Sequence, residues 1–251
     1  MPKLRLDRLL HERGLAETRS KAQALILAGS VFTGEQRLDK AGQMVSENIE
    51  VEVRSAALPY VSRGGLKLAH GLDHFNIDPS GLVAIDIGAS TGGFTDVLLQ
   101  RGVSLVYAVD VGHGQLDWSL RSHPDVVVLE KTNARYLTSD QIEKPIDLVV
   151  CDASFISLRL VLPAALELVK PSGFLIALIK PQFEVGKNEV GKGGVVRDPD
   201  LHDRVCADVS HWLREDRGWC VLGVEPSPIT GPKGNREFLI AAKRSSGVTT
   251  T

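Results

Sequence analysis

From residue 82 onward, short continuous apolar runs alternate with stretches of helical periodicity, and this alternation leaves few folds open to the chain. Leu82–Ile87, Leu105–Asp110, Val126–Leu129, Asp147–Asp152, Phe174–Lys180, Cys220–Val224 and Glu237–Ala242 read as strands. Strands without a polar face are covered on both sides, as in a mostly parallel α/β sheet flanked by helices. Helices are predicted over Leu158–Val169, before Pro171-Ser172-Gly173, and from Pro199, with Asp198 as cap, to about Asp216. The segment Pro226 to Arg236 has no helical pattern, so the last strand is expected to return antiparallel as a hairpin.

Before about Arg54 the elements are shorter. Leu6, Leu9 and Leu10 recur at helical spacing and stop at Gly14. A second helix opens at Thr18 and carries Ala22, Leu25 and Ile26 to Gly29. Val31-Phe32 begins a strand with a turn at Thr33-Gly34, and Ile49, Val51 and Val53 alternate with charged residues as in a half-exposed strand. The chain therefore divides into a small α+β unit over 1–58, a large α/β unit over 59–244 and a polar tail over 245–251. Its 251 residues are too few for three ordinary domains, and 43% apolar content is enough for a real core. No apolar run approaches the roughly 20 residues that span a bilayer, and Met1 to Leu10 lacks a signal-peptide block. Cys151, Cys206 and Cys220 lack metal-ligand spacing and read as reduced core thiols of a cytoplasmic protein; no metal ligands are assigned.

The stretch Asp86-Ile-Gly88-Ala89-Ser90-Thr91-Gly92-Gly93-Phe94 joins the first large strand to a helix. It is not a P-loop, since no Gly-Lys-Ser/Thr follows, and Ser90 stands where a dinucleotide fingerprint has its second glycine. Asp110 ends the next strand, where a carboxylate accepts hydrogen bonds from adenosine ribose hydroxyls. The bland alternative is a glycine-rich turn beside a solvated strand end. Together the two features favour a cofactor site, and the missing glycine of the dinucleotide fingerprint favours S-adenosyl-L-methionine over NAD, with Asn133 and Ala134 placed for the adenine edge.

Asp152 and Lys180 end neighbouring strands, on the carboxyl edge where such sheets bind ligands. An antiparallel last strand brings Glu237 to the same edge, and Lys67 lies in a helix leading into the first strand. Any one of them alone reads as a solvated strand end; two lysines and two acids at one edge are a specific arrangement. Burial and a second lysine favour the neutral amine of Lys180, a base; the carboxylates favour the cation, an orienting donor.

The order Lys67, Asp152, Lys180, Glu237 resembles the tetrad of FtsJ/RrmJ-type ribose 2′-O-methyltransferases. The resemblance of this arrangement to a methyltransferase tetrad implies that Lys180 contacts a substrate hydroxyl. Ser62-Arg63-Gly64-Gly65-x-Lys67, Asp86 to Phe94, Cys151-Asp-Ala-Ser-Phe155, Lys180-Pro-Gln-Phe-Glu184 and Gly191-Lys-Gly-Gly-Val-Val-Arg-Asp198 resemble the TlyA, or "hemolysin A", family. The resemblance covers nearly the whole chain. It implies a Rossmann-like, seven-stranded class I methyltransferase sheet behind an S4 RNA-binding domain, S-adenosyl-L-methionine as cofactor, and methylation of a cytidine 2′-hydroxyl in ribosomal RNA. Its partner is then ribosomal RNA or a ribosomal subunit, with no stable membrane association. A start close to the first S4 helix leans toward 23S rather than 16S targets.

Residues 1–70 carry 11 Lys and Arg against 8 Asp and Glu, the remainder 18 against 23, which suits a polyanionic partner for the first unit. Arg5, Arg8, Arg19, Lys21, Arg37 and Lys40 are its candidate RNA contacts, with Arg63, and with Lys192 and Arg197 in a loop that reads as a flap or a plain connection. Most such charges only solvate a surface. Three rival readings remain: a non-catalytic S4-type RNA-binding protein, a membrane-active hemolysin and an NAD-dependent enzyme. Intact tetrad residues weigh against the first, the lack of a strongly basic amphipathic helix against the second. Calorimetry with the two cofactors separates the last.

Overall fold

The computed structural model describes residues 3–27, 29–34, 36–53 and 59–245, and its contacts fall into two units, Met1–Leu58 and Pro59–Thr251. The polar tail beyond Ser245 lies outside the described residues.

The first unit runs β1 (Lys3–Arg5), α1 (Leu6–Glu12), α2 (Arg19–Leu27), β2 (Val31–Thr33), β3 (Gln36–Arg37), β4 (Met44–Ser46) and β5 (Glu52–Val53). Leu6, Leu9 and Leu10 on α1 meet Ala22 and Ile26 on α2 in a core closed by Val31, Leu38 and Val45. Each fully buried leucine there contributes about 1.5–3 kcal/mol. Thr18 Oγ1 accepts a hydrogen bond from Lys21 N at 3.1 Å, so the expected cap forms. β2 pairs with both β3 and β5, while β1 pairs antiparallel with β4. The β1–β4 pair was not legible, because Lys3–Arg5 and Met44–Ser46 are too short to show a period. The alternating segment is paired only at its end: Ile49 and Val51 pack on the core, but just Glu52 and Val53 join the sheet.

The second unit continues with α3 (Gly64–His74), β6 (Val83–Ile87), α4 (Gly93–Gln100), β7 (Leu105–Val109), α5 (Trp118–Arg121), β8 (Val126–Leu129) and β9 (Ile146–Cys151). It closes with α6 (Leu158–Val161), α7 (Pro163–Glu167), β10 (Val169–Ile179), α8 (Pro181–Glu184), α9 (Pro199–His211), β11 (Trp219–Pro226) and β12 (Phe238–Arg244). The sheet order is β11-β12-β10-β9-β6-β7-β8; β6 to β10 are parallel, and β12 runs antiparallel to both neighbours. Successive residues serve opposite faces, as the two-residue period requires. Leu148 and Val150 pack toward α3 and α4, Val149 and Cys151 toward α6, α7 and α9.

One predicted helix is corrected. Leu158–Val169 is two short helices, because Pro163 has no N–H to continue the ladder, and Val169 already belongs to β10, paired with Ile146. The cap at Asp198 forms: its side chain accepts from Asp200 N at 3.0 Å. The expectation of three core thiols also needs correcting, since Cys151 is buried, Cys206 half-buried and Cys220 exposed. Burial pushes the Cys151 and Cys206 thiols up to about 12.

Candidate active site

The two-residue period aims a set of charges at one side of the sheet edge. Asp86 follows Ile85 in β6 and shares the α3 and α4 face with Ala84. Asp152 lies one residue past β9, with its N–H on Ile87 O at 3.0 Å. Ile179 pairs with Phe238, so Lys180 and Glu237 are neighbours just beyond the last paired residues. α3 crosses this face and delivers Lys67. All four predicted residues therefore converge.

Lys67 Nζ donates to Glu237 Oε2 at 2.6 Å and lies 3.6 Å from Asp152 Oδ2. Lys180 Nζ lies 2.5 Å from Asp152 Oδ1 and donates to Asp152 O at 3.0 Å and Ser154 Oγ at 2.8 Å. Lys67, Lys180 and Glu237 are 7%, 6% and 4% exposed, so four charges sit in a largely water-excluded cluster of zero net charge. Such a cluster tolerates burial only because every charge has a partner. Gly231 lies against Glu237: a Cβ there would stand 2.5 Å from Oε1. Gly231 carries no sequence signal, since nothing local marks a loop glycine as the neighbour of a distant charge, and Ser154 stands in the Cys151-Asp-Ala-Ser-Phe155 motif without a role of its own.

Beside the cluster, between the ends of β6, β7 and β9, opens a cleft of about 510 Å³. Gly88, Ser90, Asp110, Asn133, Ala134 and Asp152 line it, as the sequence suggested. Gly88 has φ +79°, and a Cβ there would meet the Ala153 backbone at 3.0 Å, so the turn needs glycine. Asp110 is fixed at the cleft by Ser90 N at 2.8 Å and Gly112 N at 2.7 Å. Asn133 Oδ1 accepts from Arg135 N at 3.1 Å, which keeps its amide group at the wall.

The remaining turn residues, Ala89, Thr91, Gly92, Gly93 and Phe94, are not among those lining the cleft. Ala89 is buried against Leu116 and Leu120, Thr91 O accepts from Asp117 N at 3.2 Å, and Gly92 packs on Leu120. Phe94 faces the apolar core with Leu68 and Val97, not the cleft, because the helix period turns it inward. Gly93 permits contact between helices: a Cβ there would stand 2.9 Å from Gly65 N. That approach seats the start of α3, and hence Lys67, on α4.

Asp86 is fully buried with a single side-chain partner: Thr95 Oγ1 donates to its Oδ2 at 2.7 Å, and Oδ1 has none. Burial, with the nearby Asp152 charge, pushes its carboxyl up to about 7 despite the Thr95 hydrogen bond. An orphaned carboxylate oxygen two residues before the cleft glycine fits a cationic ligand group, and the cleft volume lies in the range of nucleoside-sized sites.

Phe155 closes the Cys151-Asp-Ala-Ser-Phe155 motif, and the sequence alone gives it no role. It lines the cleft, is 89% exposed and has φ +65°, with its ring 5.1 Å from that of Phe183. An exposed aromatic held in a left-handed conformation is a strained arrangement at the wall of the cleft.

The candidate RNA contacts of the first unit are at its surface, several of them paired. Arg5 and Arg19 each lie 3.1 Å from Asp7, Arg8 is 2.6 Å from Glu12, Lys21 pairs with Glu17, and Arg37 is 3.9 Å from Asp39. Lys40, Arg63, Lys192 and Arg197 are exposed. The loop carrying the last two is anchored: Asn235 accepts from Val196 N at 3.0 Å and donates to Gly194 O at 2.9 Å, and Val196 is buried.

These features agree with the comparisons to known proteins. The FtsJ-like methyltransferase family profile matches residues 60–244, and the S4 domain profile matches residues 4–51. The 16S/23S rRNA (cytidine-2′-O)-methyltransferase TlyA of Mycobacterium tuberculosis is 48% identical, over 94% of this chain and 88% of the relative. This chain belongs to the TlyA family. The 23S rRNA (cytidine-2′-O)-methyltransferase TlyA of Campylobacter jejuni is 34% identical over 81% of this chain and 78% of its own. A solved Streptococcus thermophilus structure named as a hemolysin is 43% identical with a TM-score of 0.77, covering 98% of this chain and 90% of that one. As an FtsJ-like methyltransferase, this TlyA family member uses S-adenosyl-L-methionine. Among the described residues, no helix is long and apolar enough to cross a membrane.

Proposed function

We propose that this chain methylates the 2′-hydroxyl of a cytidine ribose in ribosomal RNA, with 23S rRNA the first target to test and the cytoplasm its compartment. The observation that carries the reading is the convergence of Lys67, Asp152, Lys180 and Glu237 beside the cleft. The cofactor supplies an electrophilic methyl group on a sulfonium. Ile87, Gly88, Asp110, Asn133 and Ala134 line the cleft that would hold it, and the buried carboxylate of Asp86 would complement its positive charge.

Lys180 Nζ donates to Asp152 O and Ser154 Oγ and stands in an ion pair with Asp152 Oδ1 that lacks hydrogen-bond geometry, so one ammonium proton is left for a substrate. That set supports an ammonium, not a neutral base. Lys180 then orients the ribose hydroxyl and stabilises the negative charge that develops on its oxygen, with the proton leaving late. Asp152 fixes the direction of Lys180, while Glu237 holds Lys67 for the ribose or an adjacent phosphate. Alignment of this kind supplies up to roughly 7–11 kcal/mol of the barrier reduction. Phe155 offers a stacking face for the extruded base. The first unit supplies a basic surface for the RNA backbone.

The test is labelled S-adenosyl-L-methionine with naked ribosomal RNA and with isolated subunits, followed by mapping of the label. Label on cytidine ribose is the expected result. Label on a base, or none with any RNA, overturns the reading.

A further inference from the structure

Away from the cleft, α3 and the edge strand β11 bring three metal-ligating side chains together. His70 and His74 stand four residues apart on α3, so their rings share one face, with centroids 5.9 Å apart. Glu225 on β11 reaches both: its Oε1 is 3.5 Å from His70 Nε2, and its Oε2 is 3.7 Å from His74 Nε2. The ligand atoms all lie within 4.8 Å of one another.

Both gaps are long for hydrogen bonds, and His70 Nε2 is buried without a partner. They suit ligands that share an ion, because bonds of about 2.0–2.1 Å in a tetrahedron separate ligand atoms by roughly 3.4 Å. Two imidazoles and a carboxylate form the donor set of zinc-class ions, not of magnesium or calcium. Asp73 on the same helix does not compete, since it is engaged by Arg101 at 2.8 Å. The His74 and Phe75 rings form a T-shaped pair, with centroids 4.7 Å apart at 80°, which helps to fix the direction of the imidazole.

We propose that His70, His74 and Glu225 bind one zinc-class divalent ion, with water completing its coordination, and that the ion ties α3 to β11. Lys67 lies three residues before His70, about one turn along the helix. The ion therefore restrains the element that brings Lys67 to Glu237 and Asp152. This inference does not depend on which RNA the enzyme modifies.

The test uses the untagged full chain, stripped with a chelator and titrated with cobalt(II). A single equivalent giving the visible absorption of a tetrahedral site, displaced by zinc and accompanied by a rise in melting temperature, is the expected result. His74→Ala and Glu225→Gln should each weaken binding roughly tenfold or more. His123→Ala and Cys220→Ser should not, which separates this site from other exposed ligands. No stoichiometric binding, or binding retained by the His74→Ala, Glu225→Gln double variant, overturns the proposal.

Discussion

Each of the two units buries an aspartate completely, and the two are provisioned in opposite ways. Asp7 accepts hydrogen bonds from Arg5 at 3.1 Å, Arg19 at 3.1 Å and Gln23 at 2.8 Å. The Arg5 guanidinium, helped by Gln23 and Arg19, holds its carboxyl well below the usual carboxylate range despite burial. Asp86 has one hydroxyl partner, no cation and an orphaned oxygen, and burial pushes it up to about 7. The chain completes the first charge itself and leaves the second incomplete. A buried carboxylate whose partners are all internal serves the fold; one left short two residues before the cleft glycine is the candidate for an external partner.

The sharpest way to break this contrast is at the charge cluster. Lys180→Ala should lower kcat by about 10³-fold with cofactor affinity changed only a few-fold, measured by methyl transfer and calorimetry. Equal losses in both would mean that Lys180 holds cofactor and does not act on the ribose. Next in size is Asp86→Asn, which should weaken cofactor binding by about tenfold to a hundredfold. The same variant should stabilise the cofactor-free second unit above pH 7 by an amount of the order of 2–4 kcal/mol. The sign follows from the raised carboxyl. An unfolded aspartate titrates near about 3.9, so wild-type stability is full below that and falls as pH rises toward about 7. Asn escapes the loss, and its advantage should vanish near pH 4. Asp7→Ala should cost the first unit about 1–3 kcal/mol, seen as faster amide exchange in α1 and α2, with cofactor affinity unchanged. Here the sign reverses. The depressed carboxyl stabilises at all pH values above about 3.9 and loses that contribution only in stronger acid. Acidification from neutrality should therefore firm the cofactor-free second unit before it loosens the first.

How far the sequence could be read depended on whether a signal was local. The seven-stranded sheet was legible because doubly covered strands are written as unbroken apolar runs. The tetrad was legible because a parallel strand presents its carboxyl end at a known edge, so Asp152 and Lys180 could be placed without coordinates. Pro163 was a local breaker inside a helical pattern, and its missing N–H wins over the apolar spacing around it. The β1–β4 pair, Gly231 against Glu237, and His70 and His74 against Glu225 depend on tertiary register. His70 and His74 look like ordinary helix-surface residues until the hairpin brings Glu225 alongside. Phe94 misled for another reason: it sits in a ligand-like motif, yet the helix period turns its ring into the core.

The smallest predicted effect is the most direct probe of the incomplete carboxylate. Near pH 7 the Asp86 carboxyl of the cofactor-free protein should be about half protonated, since burial has brought its titration there. The amino acid end of S-adenosyl-L-methionine carries an ammonium and the sulfur a fixed positive charge. Placing positive charge near Asp86 favours the ionised form, so binding should expel up to about half a proton per site. Binding enthalpies measured in buffers of different ionisation enthalpy should then differ in proportion, and the slope should report release, not uptake. The slope should fade at pH 9, where Asp86 is already ionised, and disappear in Asp86→Asn. In Asp7→Ala it should persist unchanged, because that carboxylate is ionised before and after binding. Proton uptake, or a slope that survives Asp86→Asn, would mean that the buried carboxyl in β6 does not answer to the cofactor.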